Sequence, residues 1–151
     1  MDHWTTVPFG KYIGLTLPQI AFRDPDYLFW ACRKGIFYGD LERELHDVAT
    51  KASHIRVLPD GNEERLIEYI IDRHSAKFVT AEFVYARSGI GFLRSRVINL
   101  EFPRLCKEYD KLGNKNLVAV AKEHLFGDRS TRMTRDLAGS FFSSDDHFLL
   151  E

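Results

Sequence analysis

The chain has 151 residues, of which 44% are hydrophobic and 28% are charged, and its formal net charge is −1. This length predicts one domain with a substantial core, and the apolar content excludes a largely disordered chain. Because the net charge is close to zero, any surface that binds nucleic acid must be local. No apolar run approaches the ~18 residues that span a bilayer, so no membrane partner is expected.

The N-terminal sequence MDHWTTVPFG has neither the basic start nor the apolar stretch of a signal peptide, which predicts a cytoplasmic protein. The two cysteines, Cys32 and Cys106, form no CxxC pair. They are expected to be reduced, mostly buried thiols. The chain carries no P-loop, GxGxxG motif or GxSxG elbow, so no cofactor and no nucleophilic site are predicted.

Turn and helix signals follow one another closely in the N-terminal third. Bulky residues alternate with glycine over Phe9–Gly14, which predicts a tight strand–turn–strand. Thr16 can cap one helical turn. Asp24 is expected to cap a longer helix that Gly35 ends. Asp40 is expected to cap a third helix, whose apolar stripe runs to Ala52.

The middle of the chain predicts β-structure. Residues 64–72 fit a helix or a strand, and the strand is favoured because residues 77–86 are rich in β-branched and aromatic side chains. The polar segment 73–76 would connect the two strands as a hairpin. Residues 97–100 are expected to return as a further strand.

Three helices are predicted in the C-terminal part. The first begins at Pro103 and stops at Gly113-Asn114, because glycine favours helix ends. Asn116 would cap a second helix that ends before Gly127. A third is expected to begin at Ser130 or Thr131 and to run to about Phe142.

Together these elements predict an α+β fold. A small N-terminal hairpin-plus-helices module would pack against a β-hairpin or short antiparallel sheet and three C-terminal helices. A single compact domain over residues 1–151 is expected, with one natural seam near residues 52–62, between the module at 7–52 and the portion at 55–151.

The module carries a recognisable pattern: Pro8-Phe9-Gly10-Lys11-Tyr12, then Gly14, Tyr27-Leu28, Trp30, Lys34-Gly35 and Gly39. Residues 7–52 resemble the small domain of the bacterial family described as quorum-sensing-regulated virulence factors. The pattern is also similar to the C-terminal domain of exonuclease X-like proteins. This resemblance implies an association with nucleic acid or a regulatory role. One residue departs from it, since Ile13 stands where the exonuclease-associated modules commonly carry a second cation.

The residue patterns that could indicate catalysis also have ordinary structural explanations. Asp40 and Glu42 have the Asp-x-Glu spacing of a two-metal exonuclease, but both fall at a helix start, where the helix dipole favours acids. The six histidines show no HxxxH, HxH or Cys–His spacing. Glu42 and His46 are one helical turn apart, and a hydrogen bond between them is favoured over a shared ion. No metal site is predicted, and a metal-dependent nuclease is only a third interpretation.

Local clusters of basic residues favour a non-catalytic nucleic-acid-associated accessory module that binds DNA or RNA. Three arginines lie between Phe83 and Leu100 without an acid among them. Arginines also recur at every third position from Arg129 to Arg135, where they would line one side of a helix start. Lys11 and Tyr12 could add a phosphate contact and a stacking platform. The candidate contact residues are Lys11, Tyr12, Arg87, Arg94, Arg96, Arg129 and Arg132.

The alternative is a protein-interaction or regulatory domain with no nucleic-acid role. It is supported by the near-neutral charge, by the lack of a catalytic motif and by the regulatory label of the family. It predicts an exposed apolar patch, for which the candidate is Phe148-Leu149-Leu150, and association with itself or with another protein.

Overall fold

The computed structural model describes residues 4–89, 91 and 93–150. Within these residues the chain folds into six α-helices and two small antiparallel sheets, which confirms the α+β class. No helix in this described part has both the length and the apolar composition needed to cross a membrane.

Three helices make up the N-terminal part: α1 (Leu17–Ala21), α2 (Pro25–Lys34) and α3 (Gly39–Ala52). The predicted start and end of α2 are confirmed. The Asp24 carboxylate accepts a hydrogen bond from the Tyr27 backbone N–H at 3.2 Å, and Gly35 ends the helix at a φ of 65°. Helix α3 begins two residues earlier than predicted, with Tyr38 at the cap position, so Asp40 lies in its first turn and does not cap it.

The segment before α1 is a closed turn. Its ends meet in one antiparallel bridge between Thr6 and Thr16, and the Val7 N–H donates to the Leu15 carbonyl at 2.7 Å. Gly10 and Gly14 have φ values of 88° and 90°, a conformation that L side chains rarely adopt. These two glycines let the chain turn back on itself before α1.

The predicted hairpin is confirmed as β2 (Arg65–Ile71) and β3 (Phe78–Tyr85), paired antiparallel with Ile67 opposite Phe83. Strand β4 (Arg94–Ser95) pairs with the other edge of β2, which gives the order β3-β2-β4. Strands β1 (Ile55–Arg56) and β5 (Val97–Ile98) form a separate two-stranded sheet. The predicted strand at 97–100 is therefore shorter than expected.

The first two C-terminal helices have boundaries that differ from the prediction. Helix α4 (Phe102–Leu105) ends well before Gly113, and α5 (Lys111–Phe126) runs straight through Gly113 and Asn114. Asp110 caps α5 by accepting from the Leu112 N–H at 3.0 Å. Gly113 serves close packing instead of ending a helix, because a Cβ there would lie 2.5 Å from the Phe78 carbonyl oxygen of β3.

The last helix, α6 (Arg135–Ser143), begins later than predicted, and a short 3-10 helix (Asp145–His147) follows it. Thr134 caps α6 by accepting from the Leu137 N–H at 3.1 Å. Ser130 and Thr131 belong instead to a turn built on Asp128, whose carboxylate accepts from the Ser130 N–H at 2.8 Å. Arg129 and Arg132 consequently lie in the turn before α6 and outside the helix.

The buried apolar side chains form one cluster that draws on residues from both sides of the predicted seam. Its largest fully buried members include Phe22, Phe37, Phe78, Phe142, Leu17, Ile20, Leu28, Leu45, Ile55, Ile67, Ile98 and Leu100. Phe148 joins this cluster with 5% of its surface exposed and packs on Phe142, with ring centroids 5.5 Å apart. The predicted exposed patch at Phe148-Leu149-Leu150 is therefore wrong for Phe148, because this ring completes the core.

Candidate nucleic-acid interface

Three of the predicted contact residues, Arg87, Arg94 and Arg96, face glutamates at or just before β2. The sequence around them has no acid, but the fold brings in Glu68 of β2 and the two glutamates that directly precede this strand. The nitrogen–oxygen distances are 2.8 Å for Arg87–Glu63, 3.6 Å for Arg94–Glu68 and 3.3 Å for Arg96–Glu64. These charges are largely compensated, which makes this face a weak attractor for a polyanion.

Lys11 and Tyr12 both point to the carboxylate that caps α2. The Tyr12 hydroxyl donates to Asp24 Oδ2 at 2.5 Å, and Lys11 Nζ lies 3.6 Å from the same oxygen. Burial, followed by the hydrogen bond to Asp24, raises the pKa of Tyr12 above its ordinary value of 10.0. Tyr12 thus has a structural hydrogen bond, whereas the Lys11 side chain remains mostly exposed.

Four cations surround a cleft on another face, which is formed between α1, α5 and the turn before α6. They are Arg23, Lys122, Arg132 and Arg135, and the cleft has a volume of about 470 Å³. The other described residues of its walls are uncharged: Leu15, Gln19, Phe22, Ser130, Thr131, Met133 and Thr134. We call this the basic cleft. No carboxylate of the described residues lies within ion-pairing distance of any of the four cations.

Two of the charges in the basic cleft, those of Lys122 and Arg23, repel each other. Burial lowers the pKa of Lys122, and the positive charge of Arg23 lowers it further. The turn that carries Arg132 is fastened to α1, because the Gln19 amide donates to the Met133 carbonyl at 3.3 Å. The folded chain thus holds like charges close together, and a bound anion would relieve their repulsion.

Of the seven predicted contact residues, only Arg132 lines the basic cleft. Arg129 is exposed in the same turn and does not line it. Arg23 and Lys122 were missed because each is an isolated cation in the sequence. They are brought together by Phe22, whose ring packs against Phe126 of α5 and Phe141 of α6, with centroids 5.6 Å and 5.4 Å away. The one sequence signal for this cleft was the spacing of Arg132 and Arg135, which are three residues apart.

A cysteine and a histidine also come together, although no spacing in the sequence indicated it. Cys32 Sγ of α2 lies 3.3 Å from His46 Nδ1 of α3, so His46 is paired with the thiol and not with Glu42. Burial and then the charge of Glu101 raise the pKa of the Cys32 thiol above its ordinary value of 9.0. A nucleophilic cysteine needs the opposite shift.

Asp40 and Glu42 lie in the first turn of α3, where Asp40 pairs with Arg43. Within residues 4–89, 91 and 93–150, no three His, Cys, Asp or Glu side chains are grouped so as to hold a metal ion.

Comparisons of the whole chain with models of protein families, with curated proteins and with solved structures find no match. The resemblance of residues 7–52 therefore stays a prediction, and the function has to be argued from the geometry of the site.

Proposed function

We propose that the chain is a non-catalytic nucleic-acid-associated module that contacts backbone phosphates through the basic cleft. The observation that carries this proposal is the grouping of Arg23, Lys122, Arg132 and Arg135 around one cleft without a carboxylate partner among the described residues. In a chain whose net charge is −1, such a grouping is a local anion-binding surface and not a general excess of charge.

The chemistry of the cleft suits phosphate. Arginine donates two parallel hydrogen bonds to phosphate oxygens, and neutralising several phosphates releases counterions from the nucleic acid. Thr134 Oγ1 accepts from the Leu137 N–H, which leaves its own hydroxyl hydrogen available to an anion. The resemblance of residues 7–52 to the exonuclease X-associated module supports the same class of ligand.

A protein-interaction or regulatory domain is the second candidate. It is supported by two leucines on neighbouring segments, Leu105 at the end of α4 and Leu112 in α5, which are 62% and 63% exposed. Such apolar exposure favours a protein partner where it forms a continuous patch. This candidate predicts binding that increases with salt or does not depend on it, the reverse of the phosphate proposal.

The test is fluorescence anisotropy with labelled single-stranded and duplex DNA and RNA at about 50 and about 200 mM salt. If all four cations contact phosphates, this change in salt should weaken single-strand binding about 50-fold and duplex binding about 150-fold. Arg132→Ala should weaken binding to every sequence and reduce the slope of log affinity against log salt by about one.

Arg96→Ala is the matched control, because it removes the same charge from an exposed arginine that is paired with Glu64. It should leave both the affinity and the salt slope nearly unchanged. Equal losses in the two variants would show that binding is nonspecific attraction to net charge. No binding at low salt would overturn the proposal and favour the protein-interaction candidate.

A further inference from the structure

A second cleft lies on the other side of the Arg23-Asp24 segment from the basic cleft. It is open, has a volume of about 400 Å³, and is lined by Lys11, Asp24, Asp26, Tyr27, Trp30, Arg104, Tyr109 and Lys111. We call this the aromatic cleft. Because Arg23 lines the basic cleft and the next residue lines the aromatic cleft, the two clefts are neighbours along the surface.

Flat aromatic surface is available in this cleft. Tyr27 and Trp30 of α2 lie with ring centroids 5.6 Å apart, and Trp30 is 37% exposed. The rings of Tyr12 and Tyr27 pack in a T-shaped arrangement with centroids 5.0 Å apart, which fixes the orientation of Tyr27. A partly exposed tryptophan on a helix, packed against Tyr27, offers a face on which a planar ligand can stack.

Two polar atoms of the residues that line the cleft are buried without partners in the described structure. The Arg104 Nε and Tyr109 hydroxyl atoms are buried and have no hydrogen-bond partner among the described residues. Within the described part of the chain, Asp26 Oδ1 has only long contacts, 3.6 Å to Arg104 Nε and 3.4 Å to Asn114 Nδ2. Buried polar atoms left without partners are costly, so a ligand that supplies both donors and acceptors would be favoured.

Cations complete the lining. Lys11 and Lys111 both line the cleft, and the Lys11 side chain is mostly exposed. A ligand that suits this arrangement is planar, carries hydrogen-bond donors and acceptors on its edge, and brings a negative charge. A nucleotide has all three properties, and the volume lies within the range of pockets that hold small ligands.

We propose that the aromatic cleft takes one unpaired base of a single strand whose backbone continues past Arg23 into the basic cleft. The base stacks on Trp30, its edge faces Asp26 and Tyr109, and a phosphate lies near Lys11. This inference rests on the proposed function, since it names the form of nucleic acid that the module binds. A duplex keeps its bases stacked inside, so it can use the basic cleft but not the aromatic cleft.

The chemistry of Asp26 adds a preference among bases. A carboxylate accepts hydrogen bonds from the exocyclic amino group of a base, as in the contact of acidic side chains with cytosine N4. Thymine and uracil have no such group. Strands of cytosine should therefore bind more tightly than strands of thymine.

The experiment measures the affinity of the full chain for single-stranded oligo(dC), single-stranded oligo(dT) and a duplex of equal length by anisotropy at about 50 mM salt. Trp30→Ala should weaken single-strand binding about 5- to 150-fold, the range found for base stacking on aromatic side chains, and leave duplex binding unchanged. Trp30→Phe keeps a ring and should retain most of the affinity. The matched control is Tyr38→Ala, which removes an aromatic ring that is 82% exposed and does not line the cleft.

Failure of this inference can be told apart from failure of the proposed function. If Arg132→Ala weakens binding but Trp30→Ala does not, phosphate contact stands and the base site is overturned. If Trp30→Ala weakens binding and Arg132→Ala does not, the base site is supported and the role of the basic cleft is overturned. The preference for oligo(dC) over oligo(dT) needs no variant, and equal affinities would overturn the role given to Asp26.

Discussion

The hydroxyl oxygen of Tyr12 lies 2.5 Å from Oδ2 of Asp24, so the turn before α1 is tied directly to the cap of α2. The same carboxylate accepts from the Tyr27 N–H at 3.2 Å and lies 3.6 Å from Lys11 Nζ. One side chain therefore holds the helix start, the preceding turn and the wall between the two clefts.

Tyr12→Phe should destabilise the fold by about 1–2 kcal/mol, because it deletes a hydrogen bond to a charged acceptor in a partly buried site. The measurement is the free energy of unfolding in urea at pH 7. The raised pKa of Tyr12 means that this contribution is complete below pH 10, where the unfolded side chain keeps its proton. It is lost as the pH rises above 10, because the unfolded chain then releases the proton more readily than the folded one.

Tyr38→Phe is the matched control, since Tyr38 is exposed and has no hydrogen-bond partner in the described structure. It should change the unfolding free energy by less than about 0.5 kcal/mol, both at pH 7 and above pH 10. Identical urea midpoints for Tyr12→Phe and the wild type would contradict the structural role of the Tyr12–Asp24 contact.

The parts of the fold that were predictable are those whose signals are local. Asp24, Pro25 and Gly35 define α2 within one short segment, and the alternating residues of β2 and β3 define a hairpin with a short connection. The helix boundaries near Gly113 could not be found in this way. Gly113 is needed because it packs against β3, which comes more than thirty residues earlier in the chain. A prediction from the neighbouring residues alone takes this glycine as a helix end.

Gly113→Ala should destabilise the chain, although alanine is the better helix former by up to about 1 kcal/mol. The new Cβ would meet the Phe78 carbonyl oxygen at 2.5 Å and its ring at 3.2 Å, so α5 must move away from β3. We expect a net loss of about 1–3 kcal/mol, the cost of overpacking a well-filled site. Thermal unfolding measures it, with Lys115→Ala on the exposed side of α5 as the control. A higher melting temperature for Gly113→Ala would refute the close approach of these two elements.

His124 is expected to make the fold sensitive to acid. Its ring stacks on Phe83 at 3.9 Å, and Nε2 accepts from the Leu58 N–H at 2.8 Å, which requires the neutral form. Burial, and then the charge of Arg65, lower the pKa of His124 from 6.5 to about 4. Between these two values the unfolded chain binds a proton that the folded chain does not, so stability falls as the pH drops from 6.5 towards 4.

The comparison that isolates this effect is wild type against His124→Gln, which cannot titrate in this range. The difference in unfolding free energy between the two should be constant above pH 6.5. Below pH 6.5 the wild type should lose stability relative to His124→Gln. An NMR titration of the His124 ring gives a direct check. A midpoint near 6.5 would show that the ring is not held in its neutral form.

The candidate site was less predictable than the fold because it depends on which charges are left unpaired. Arg94 and Arg96 stand in a segment without acids, yet the fold places them against Glu68 of β2 and Glu64 just before it. Arg23 and Lys122 are almost a hundred residues apart, and only the packing of Phe22 on α5 and α6 makes them neighbours. Charge clusters in sequence thus say little about the charge that a surface presents until the partners of each side chain are known.

Cys32 provides the last test, because its contact with His46 resembles an activated thiol in geometry but not in electrostatics. The pKa of Cys32 is raised, chiefly by burial, so the thiolate that reacts with alkylating agents should be scarce at neutral pH. In a Cys106→Ser background, the rate of Cys32 alkylation by iodoacetamide, followed by mass spectrometry, should keep rising with pH beyond 9. His46→Ala should not slow the reaction at pH 7. A rate that levels off below pH 8 and falls in His46→Ala would instead identify an activated cysteine–histidine pair, and a nucleophilic activity would then have to be sought between α2 and α3.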